Sequence, residues 1–359
     1  MEVLYGIPVL GVFIQLIAYL VEVIPPFGFI ILGSATPLAL GALCGIMNER
    51  SGVVNIGIEG TMLTAAFFAF LVGAGVNAVL PADPAGPFGA TPALVIGLLA
   101  GVVSGVLVSA LHAWLSITVR ADQIISGTII NIAGLGFTSY LNRLIIGPNP
   151  RAGAGIFSPI EPLSGQTSIP VVGWIIDMFL KSGPIAATMI LFVIGLQVMI
   201  FRSRWGLRTR AVGEHPRAAD TVGIDVVALR YRNVLIGGVF AGLAGAYLTL
   251  EANSSFQNGM TAGRGFIALA CVIFGRWTPI GAFGAALLFA TSDVLGSVVQ
   301  LRPPTGDLAQ LGSIMHAIPA EVFSALPYIV TIIVVAGVVG RSVAPAAVGK
   351  PYETESQAV

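Results

Sequence analysis

Long apolar runs that carry almost no charged residue recur from one end of this 359-residue chain to the other. Many are roughly 18 residues or longer, and about 20 apolar residues suffice for an α-helix to cross a lipid bilayer. The chain is 56% hydrophobic and 9% charged, and its mean hydropathy is +0.93. These values lie outside the range of soluble globular proteins. The sequence therefore predicts an all-α polytopic membrane protein.

About ten transmembrane helices are predicted within one transmembrane domain, 1–341, followed by a polar tail, 342–359, that is expected to be mobile. The eighth span is irregular, because only eleven residues separate Arg264 from Arg276, roughly half of a crossing. It is either one span that contains Arg264 or a broken helix whose backbone is satisfied by neighbouring protein. The predicted spans are 3–21, 27–46, 61–80, 94–119, 124–146, 185–201, 234–250, 257–275, 279–299 and 323–340.

A polar interval, which we call the basic loop (201–233), separates the sixth and seventh spans. It holds seven of the seventeen Lys and Arg residues of the chain against three acids. An excess of basic residues between two spans is typical of a cytoplasmic loop. The seven are Arg202, Arg204, Arg208, Arg210, Arg217, Arg230 and Arg232.

A short surface helix, 214–222, is predicted inside the basic loop. Pro216 suits a first helical turn, Ala218 and Ala219 favour helix, and Gly223 is placed to end it. Such a helix on the cytoplasmic side suggests docking of another protein. The alternative is a loop that only orients the chain in the membrane and contains a helix by chance.

Placing the basic loop in the cytoplasm puts both termini there as well. Glu49, Arg50, Arg120 and Arg276 then also face the cytoplasm, whereas the Pro-, Gly- and Ser-rich stretch 147–181 becomes an external loop. The bias is not clean, because five other basic residues fall outside or within the membrane.

A weak internal repeat relates two halves of the chain. At a shift of 205 positions, Glu59-Gly60 aligns with Arg264-Gly265, and each pair precedes an apolar run. In the predicted topology one copy enters from the inside and the other from the outside. This gives the hypothesis of an inverted repeat of spans two to five and seven to ten, an arrangement found in alternating-access transporters.

A turn rich in polar residues, which we call the hallmark turn (49–60), lies between the second and third spans and reads ERSGVVNIGIEG. Its polar groups cost free energy near the membrane unless they meet water, each other or a partner. Its glycines allow close helix packing and unusual turns. The alternative is a solvated hairpin turn. The residues singled out are Glu49, Arg50, Ser51, Gly52, Asn55, Gly57, Glu59 and Gly60.

The hallmark turn resembles the hallmark of permeases in the branched-chain amino acid, simple sugar and nucleoside branch of ATP-binding-cassette (ABC) importers, in particular the nucleoside-type members. The sequence 217–223, RAADTVG, resembles the Glu-Ala-Ala-x-x-x-Gly signature of their cytoplasmic loop, with Arg217 in place of Glu. The likeness covers nearly the whole chain, including 240–246, FAGLAGA. It implies a coupling helix that fits a groove on an ATPase subunit, with Glu214, Pro216, Arg217, Ala218, Ala219, Asp220 and Gly223 at the contact.

The resemblance implies a transport subunit that is not an enzyme and binds no cofactor. No G-x-x-x-x-G-K-[ST] phosphate loop occurs, since the Gly-Lys pair at 349–350 is followed by Pro351. ATP and Mg²⁺ would therefore bind a separate ATPase subunit. The other implied partners are a second related permease, giving a heterodimer, and an extracytoplasmic substrate-binding protein, all at a bacterial or archaeal plasma membrane. No metal site is predicted.

Polar residues at membrane depth are candidates for a substrate path. Several recur on one face of the fifth span, and others lie where the seventh span ends. Their amides and hydroxyls suit hydrogen bonds to a hydroxylated substrate, and Phe256 could stack on an aromatic base. Hydrogen bonding between helices is the alternative for each. The candidates are Gln123, Ser126, Asn131, Asn253, Phe256 and Asn258.

Two other classes of protein compare less well with the sequence. An ion-coupled secondary transporter would share inverted repeats and buried charges, but would not need the Ala-Ala-x-x-x-Gly loop. A membrane enzyme would need clustered His, Cys or carboxylate groups, which the sequence lacks. The resemblance of the hallmark turn implies import of nucleosides, with simple sugars such as ribose or galactose second and lipophilic or amino acid ligands after them.

Overall fold

The structure is a computed structural model that describes residues 14–20, 27–80, 87–147, 153–159, 176, 178–179, 181–301, 304, 309–319, 322, 325, 329, 332 and 342–353. Most of the first predicted span (3–21), the tenth (323–340) and the external loop (147–181) lie outside these residues. So does the end of the tail, from residue 354.

The described part of the chain is helical and contains no strand. Among the residues that the structure describes, seven helices are long and apolar enough to cross a membrane, and they coincide with predicted spans two to seven and nine. The helices are α1 (Gly28–Glu49), α2 (Ile58–Asn77), α3 (Pro92–Ala113), α4 (Gln123–Leu141), α5 (Pro184–Arg202), α6 (Arg204–Glu214), α7 (Pro216–Thr221), α8 (Val226–Tyr247), α9 (Arg264–Phe274), α10 (Pro279–Leu301) and α11 (Ala309–Ala317). Single π-helical turns extend α3, α4 and α8.

Helix α8 begins eight residues before the predicted seventh span, so the prediction that this stretch belongs to a loop is wrong. Asp225 accepts a hydrogen bond from the backbone N–H of Ala228 at 2.8 Å and caps the helix. This start was not predicted, because Arg230 and Arg232 in the first turns of α8 interrupt the apolar run.

The irregular eighth span is a broken helix, the second of the two predicted alternatives. Helix α9 has 11 residues, which corresponds to about 16 Å, roughly half of the hydrocarbon core of a bilayer. The stretch before it, 253–263, is not helical. Gly263 precedes α9 with a φ of 82°, a left-handed conformation that glycine adopts without a steric penalty.

The basic loop contains two helices, α6 and α7, rather than one. The helix predicted over 214–222 begins two residues later, at Pro216. Glu214 ends α6, and His215 separates the two helices with a φ of −138° and a ψ of 77°. Ser203 caps α6 by accepting from the backbone N–H of Gly206 at 3.0 Å. Helix α6 was not predicted, because its several arginines obscure the apolar side chains that pack inward.

The chain divides into two compact units. One comprises Met1–Ala35, Glu161–Ser182 and Leu287–Gly340, and the other comprises Thr36–Ile160, Gly183–Ala286 and Arg341–Val359. All of the site residues discussed below lie in the second unit.

Helices α2 and α8 form the centre of the second unit. The spans that contain them are 72% and 78% buried, whereas those of α3, α4 and α5 are 28–33% buried. The exposed apolar side chains of these three helices suit contact with lipid or another membrane subunit. Close packing at the centre depends on small residues, because a Cβ added at Gly245 of α8 would lie 2.1 Å from the carbonyl oxygen of Met62 in α2.

Candidate functional site

The beginning of the hallmark turn holds the chain that leaves α9. Arg50 Nε donates to the carbonyl oxygen of Trp277 at 2.9 Å, and Arg50 Nη2 donates to that of Arg276 at 3.3 Å. Trp277 Nε1 in turn donates to the carboxylate of Glu49, which is buried. Arg276 and Trp277 both adopt positive φ, 52° and 53°, which is uncommon for residues other than glycine. These bonds therefore stabilise a strained turn directly after α9.

The end of the hallmark turn holds the other end of α9. Glu59 Oε1 accepts from the backbone N–H of Gly263 at 2.8 Å, and Oε2 accepts from that of Gly265 at 2.6 Å. The first N–H groups of a helix lack partners within it, and their dipoles favour a negative charge. A Cβ at Gly265 would lie 2.6 Å from the Cα of Glu59, so the two backbones are in close contact. The hallmark turn thus holds α9 at both ends.

The same contact joins the two segments of the proposed repeat. Glu59-Gly60 opens α2, and Arg264-Gly265 opens α9, so the two matched pairs lie against each other. The helices that follow differ, because α2 has 20 residues and α9 has 11. The likeness is therefore local to the two helix starts, and the inverted repeat of whole halves stays a hypothesis.

Side chains of α3 and α4 hold the middle of the hallmark turn from the opposite side. Gln123 Oε1 accepts from the backbone N–H of Val54 at 2.7 Å, and His112 Nε2 lies 2.8 Å from the carbonyl oxygen of Val54. Because that oxygen can only accept, Nε2 carries the proton, and Nδ1 is free to accept from the hydroxyl of Ser126 at 3.1 Å. All three side chains are buried.

Asn131 completes these contacts. Its Oδ1 accepts from the backbone N–H of Gly60 at 2.8 Å, and its Nδ2 donates to the carbonyl oxygen of Ile56 at 3.0 Å. Three of the predicted path residues, Gln123, Ser126 and Asn131, are thus engaged in hydrogen bonding between helices, the alternative recognised from the sequence. Their role in a substrate path stays a prediction.

The other three predicted path residues lie near the end of α8 and the irregular stretch before α9. Asn253 and Asn258 are exposed. Asn258 Oδ1 accepts from Asn142 Nδ2 at 2.9 Å, and Asn253 Nδ2 donates to a backbone carbonyl at 3.4 Å. Phe256 is buried, and its ring packs edge-to-face on Phe67 with centroids 5.1 Å apart. In this conformation the two amides face outward and Phe256 contributes to the core.

The hallmark turn also contains Asn55. Its side-chain amide has no hydrogen-bond partner among the residues that the structure describes. It is 1% exposed. A buried amide without a partner costs free energy.

Helix α7 presents an exposed face. Arg217, Ala218, Asp220 and Thr221 are exposed, while Ala219 is buried in a small core of α6, α7 and α8 side chains. Gly223 ends the helix at a φ of 81°, as predicted, and its N–H donates to the carbonyl oxygen of Asp220 at 2.8 Å. The face of α7 turned away from the core is thus open to a partner.

Arg230 connects α8 to the hallmark turn. It is 1% exposed, and its Nε donates to the carbonyl oxygen of Ser51 at 3.1 Å. Its Nη1 donates to the carbonyl oxygen of Lys350 at 3.1 Å. From the sequence, Arg230 was only one of the seven basic residues of the basic loop. The other six are exposed or partly exposed, and the sequence does not distinguish the buried one from them.

The hallmark turn also touches the basic loop directly. A Cβ added at Gly213, near the end of α6, would lie 2.2 Å from the carbonyl oxygen of Arg50. The guanidinium groups of Arg50 and Arg210 lie over the ring of Phe201, 5.5 and 5.3 Å from its centroid. Burial, with a smaller effect of Arg210, lowers the pKa of Arg50 below its ordinary value. Any displacement of α6 must therefore act on the hallmark turn.

The described part of the polar tail, which we call the tail segment (342–353), lies against this region, so the prediction of a mobile tail is wrong there. The backbone N–H of Gly349 donates to the carbonyl oxygen of Gly52 at 3.2 Å, and Ser342 Oγ donates to that of Ile273 at 3.0 Å. A polar composition suggested mobility, but it does not reveal hydrogen bonds to distant backbone carbonyls such as these.

No group of three or more His, Cys, Asp or Glu residues that could hold a metal ion occurs in the described ranges. The site is instead a network of backbone and side-chain hydrogen bonds. It joins the broken helix to an exposed loop helix.

The helices that the structure describes define a polytopic membrane protein of the α-helical class. A family model described as branched-chain amino acid transport system / permease component matches residues 28–335. The chain belongs to this family and is a permease subunit of an ABC importer.

Similar proteins include ABC permeases with named substrates. The guanosine ABC transporter permease protein NupQ of Bacillus subtilis (strain 168) is 39% identical over 323 residues, 89% of this chain and 93% of the relative. The nucleoside ABC transporter permease protein NupC of Lactococcus lactis subsp. cremoris (strain MG1363) is 36% identical over 324 residues, 89% and 93% of the two chains. A putative glucose ABC transporter permease protein, TsgC13 of Haloferax volcanii, is 33% identical over 321 residues, 86% and 90%. No solved structure matches the chain.

Proposed function

We propose that this permease imports nucleosides, driven by ATP that a separate ATPase subunit hydrolyses. The two relatives of highest identity reported above are named for guanosine and for nucleosides, and the third is named for glucose. This order supports nucleosides first and simple sugars second. The complete importer would also contain a second related permease and an extracytoplasmic substrate-binding protein.

The observation that carries the coupling proposal is the continuous contact from the exposed face of α7 to both ends of α9. ATP-driven closure of the ATPase subunits would displace α7 and, with it, α6. Gly213 of α6 lies against the backbone of Arg50, and Arg50 holds the strained turn after α9. Glu59, at the other end of the hallmark turn, holds the start of α9. Movement at the basic loop would thereby reposition the broken helix.

A broken helix is a suitable moving part. Its two ends are held by side chains of the hallmark turn rather than by a continuing helix. Repositioning α9 would also move the stretch 253–263, which carries the exposed amides of Asn253 and Asn258. We propose that these amides contact the substrate and that alternation between two positions of α9 opens the path to one side and then the other.

The proposal includes an orientation. The basic loop, Arg276, the tail segment and both termini would face the cytoplasm of a bacterial or archaeal cell, in agreement with the distribution of basic residues. Cysteine substitution at Leu207, which is 61% exposed on α6, would test it. An impermeant thiol reagent should label this cysteine in inside-out vesicles and leave it unlabelled in intact cells. Labelling in intact cells would contradict the orientation.

Uptake of labelled nucleosides and sugars by proteoliposomes that contain this permease and its partner subunits tests the function. The proposal expects uptake of guanosine or another nucleoside that stops when the ATPase subunit is inactivated. Uptake that persists with the inactive ATPase would indicate an ion-coupled carrier. Uptake of glucose or ribose without nucleosides would place the protein with the sugar permeases.

A further inference from the structure

The tail segment is fixed to the basic loop by hydrogen bonds along its length. The backbone N–H of Ala347 donates to the carbonyl oxygen of Gly213 at 2.9 Å, and that of Ala346 donates to Glu214 Oε2 at 3.1 Å. These bonds place the tail segment beside the junction of α6 and α7. The segment therefore extends the surface that α7 presents.

Tyr352 fixes the tail segment to α7 itself. Its hydroxyl donates to Asp220 Oδ2 at 2.6 Å, and its ring is 9% exposed in the small core that also contains Val212, Ala219 and Leu229. The polar and the apolar part of this side chain thus both contact the basic loop. A tail whose last described residues were only solvated would show neither contact.

A cleft of about 600 Å³ lies between α7 and the tail segment. One wall comes from the α6–α7 junction, and the other comes from two parts of the tail segment. This volume admits several side chains of another protein, and the cleft is open to the outside. Its lining residues are Glu214, His215, Pro216, Arg217, Ala218, Ala346, Ala347, Lys350, Pro351, Tyr352 and Glu353.

The charges of the cleft that have no ion pair carry an excess of positive charge. Glu353 lies 3.5 Å from Arg120 in an ion pair, whereas Glu214 accepts a neutral backbone N–H from Ala346 and keeps its single negative charge. Arg217 and Lys350 are exposed, and neither forms an ion pair with any carboxylate that the structure describes. A partner that enters the cleft with acidic side chains could therefore form ion pairs with Arg217 on one wall and with Lys350 on the other.

We propose that α7 and the tail segment form one composite docking surface, and that the cleft between them receives an acidic segment of the ATPase subunit. This inference rests on the proposed function, since it requires a separate ATPase. It assigns to the tail segment a role in recognition of the partner and gives a function to the two exposed cations, Arg217 and Lys350, that line the cleft. The two walls would also move as one body, because Tyr352 links them.

Binding of the purified ATPase subunit to this permease in lipid nanodiscs tests the inference. Lys350→Glu should weaken binding roughly tenfold and reduce its dependence on salt, as expected when an attractive charge at an interface is reversed. Tyr352→Phe keeps the ring but removes the bond to Asp220, and should weaken binding by a smaller factor. Lys181→Glu reverses a charge outside the cleft and serves as the matched control.

The outcomes separate this inference from the proposed function. Equal affinity of the Lys350→Glu variant and the wild type would overturn the composite surface, while ATP-driven uptake by the same preparation would leave the proposed function standing. Recovery of affinity by an acid-to-lysine change on the ATPase subunit, in combination with Lys350→Glu, would support the acidic occupant. Failure of the ATPase subunit to bind the wild type would overturn both.

Discussion

The carboxylate of Glu59 offers the sharpest test of how the hallmark turn holds α9. It accepts two backbone hydrogen bonds, from Gly263 at 2.8 Å and from Gly265 at 2.6 Å, one on each oxygen. In Glu59→Gln the side chain keeps its length but has only one accepting oxygen. Its NH₂ group would face the second N–H, and the negative charge at the start of the helix would be lost.

The expected magnitude follows from these two losses. A hydrogen bond to a charged group contributes about 1.5–3 kcal/mol, and a charge at a helix terminus contributes about 0.3–1 kcal/mol. Some of this is recovered by the remaining bond of the amide. We therefore expect the held position of α9 to lose about 2–3 kcal/mol, which corresponds to a roughly 30- to 160-fold shift in its equilibrium with a released position.

Two readouts measure this shift in proteoliposomes that contain the complete importer. Substrate uptake per ATP hydrolysed should fall steeply in Glu59→Gln, because α9 no longer follows the hallmark turn, while binding of the ATPase subunit should remain. Asp225→Asn is the matched control. It also converts a carboxylate at a helix start to an amide, but only one oxygen accepts there, at 2.8 Å, and Asn caps a helix as well as Asp does.

Uptake and ATPase activity of Glu59→Gln at wild-type levels would refute the reasoning. The same holds if Asp225→Asn loses as much uptake as Glu59→Gln, because the effect would then follow from any lost carboxylate.

Three further changes test other parts of the account. Arg230→Met removes the two bonds that join α8 to the hallmark turn and the tail segment, and should lower uptake per ATP hydrolysed by at least several-fold; an unchanged ratio would show that this arginine only fills space. Gly223→Ala meets no neighbouring atom but strains a φ of 81° by about 1 kcal/mol, so uptake should fall moderately with normal membrane insertion, and full uptake would argue against a role for the end of α7. Gly245→Ala should lower the melting temperature of the purified permease by several degrees, because its Cβ would lie 2.1 Å from a carbonyl oxygen of α2. The control Gly195→Ala, with open space around it, should leave the melting temperature unchanged. Equal melting temperatures of the two variants would contradict the packing described.

The sequence predicted the membrane helices well, because a membrane-spanning helix can be recognised from a long run of apolar residues alone. Predicted spans two to seven and nine match described helices, and the broken form of the eighth was one of two alternatives, inferred from the spacing of Arg264 and Arg276. The sequence also predicted that Pro216 lies in the first turn of α7 and that Gly223 ends it, since proline and glycine carry positional preferences of their own, although the predicted start at Glu214 was two residues too early.

The contacts between segments could not be predicted in the same way. The sequence predicted that Glu59 needs a polar partner. It did not identify that partner, because the backbone N–H groups of Gly263 and Gly265 are not distinguished by residue type. Arg230 was assigned to the basic loop, because an excess of basic residues between two spans is typical of a cytoplasmic loop. The tail segment was expected to be mobile, although backbone hydrogen bonds, which depend little on residue type, fix it to the basic loop.

The central claim is that movement of the basic loop reaches α9 through the hallmark turn. Spin labels on cysteines introduced at Leu207 of α6 and Phe266 of α9, both at least half exposed, would report the distance between these helices. We expect this distance to change between the nucleotide-free and the ATP-bound importer, and we expect Glu59→Gln to alter the change, because α9 then responds less to α6. An identical change in the wild type and in Glu59→Gln would contradict the claim.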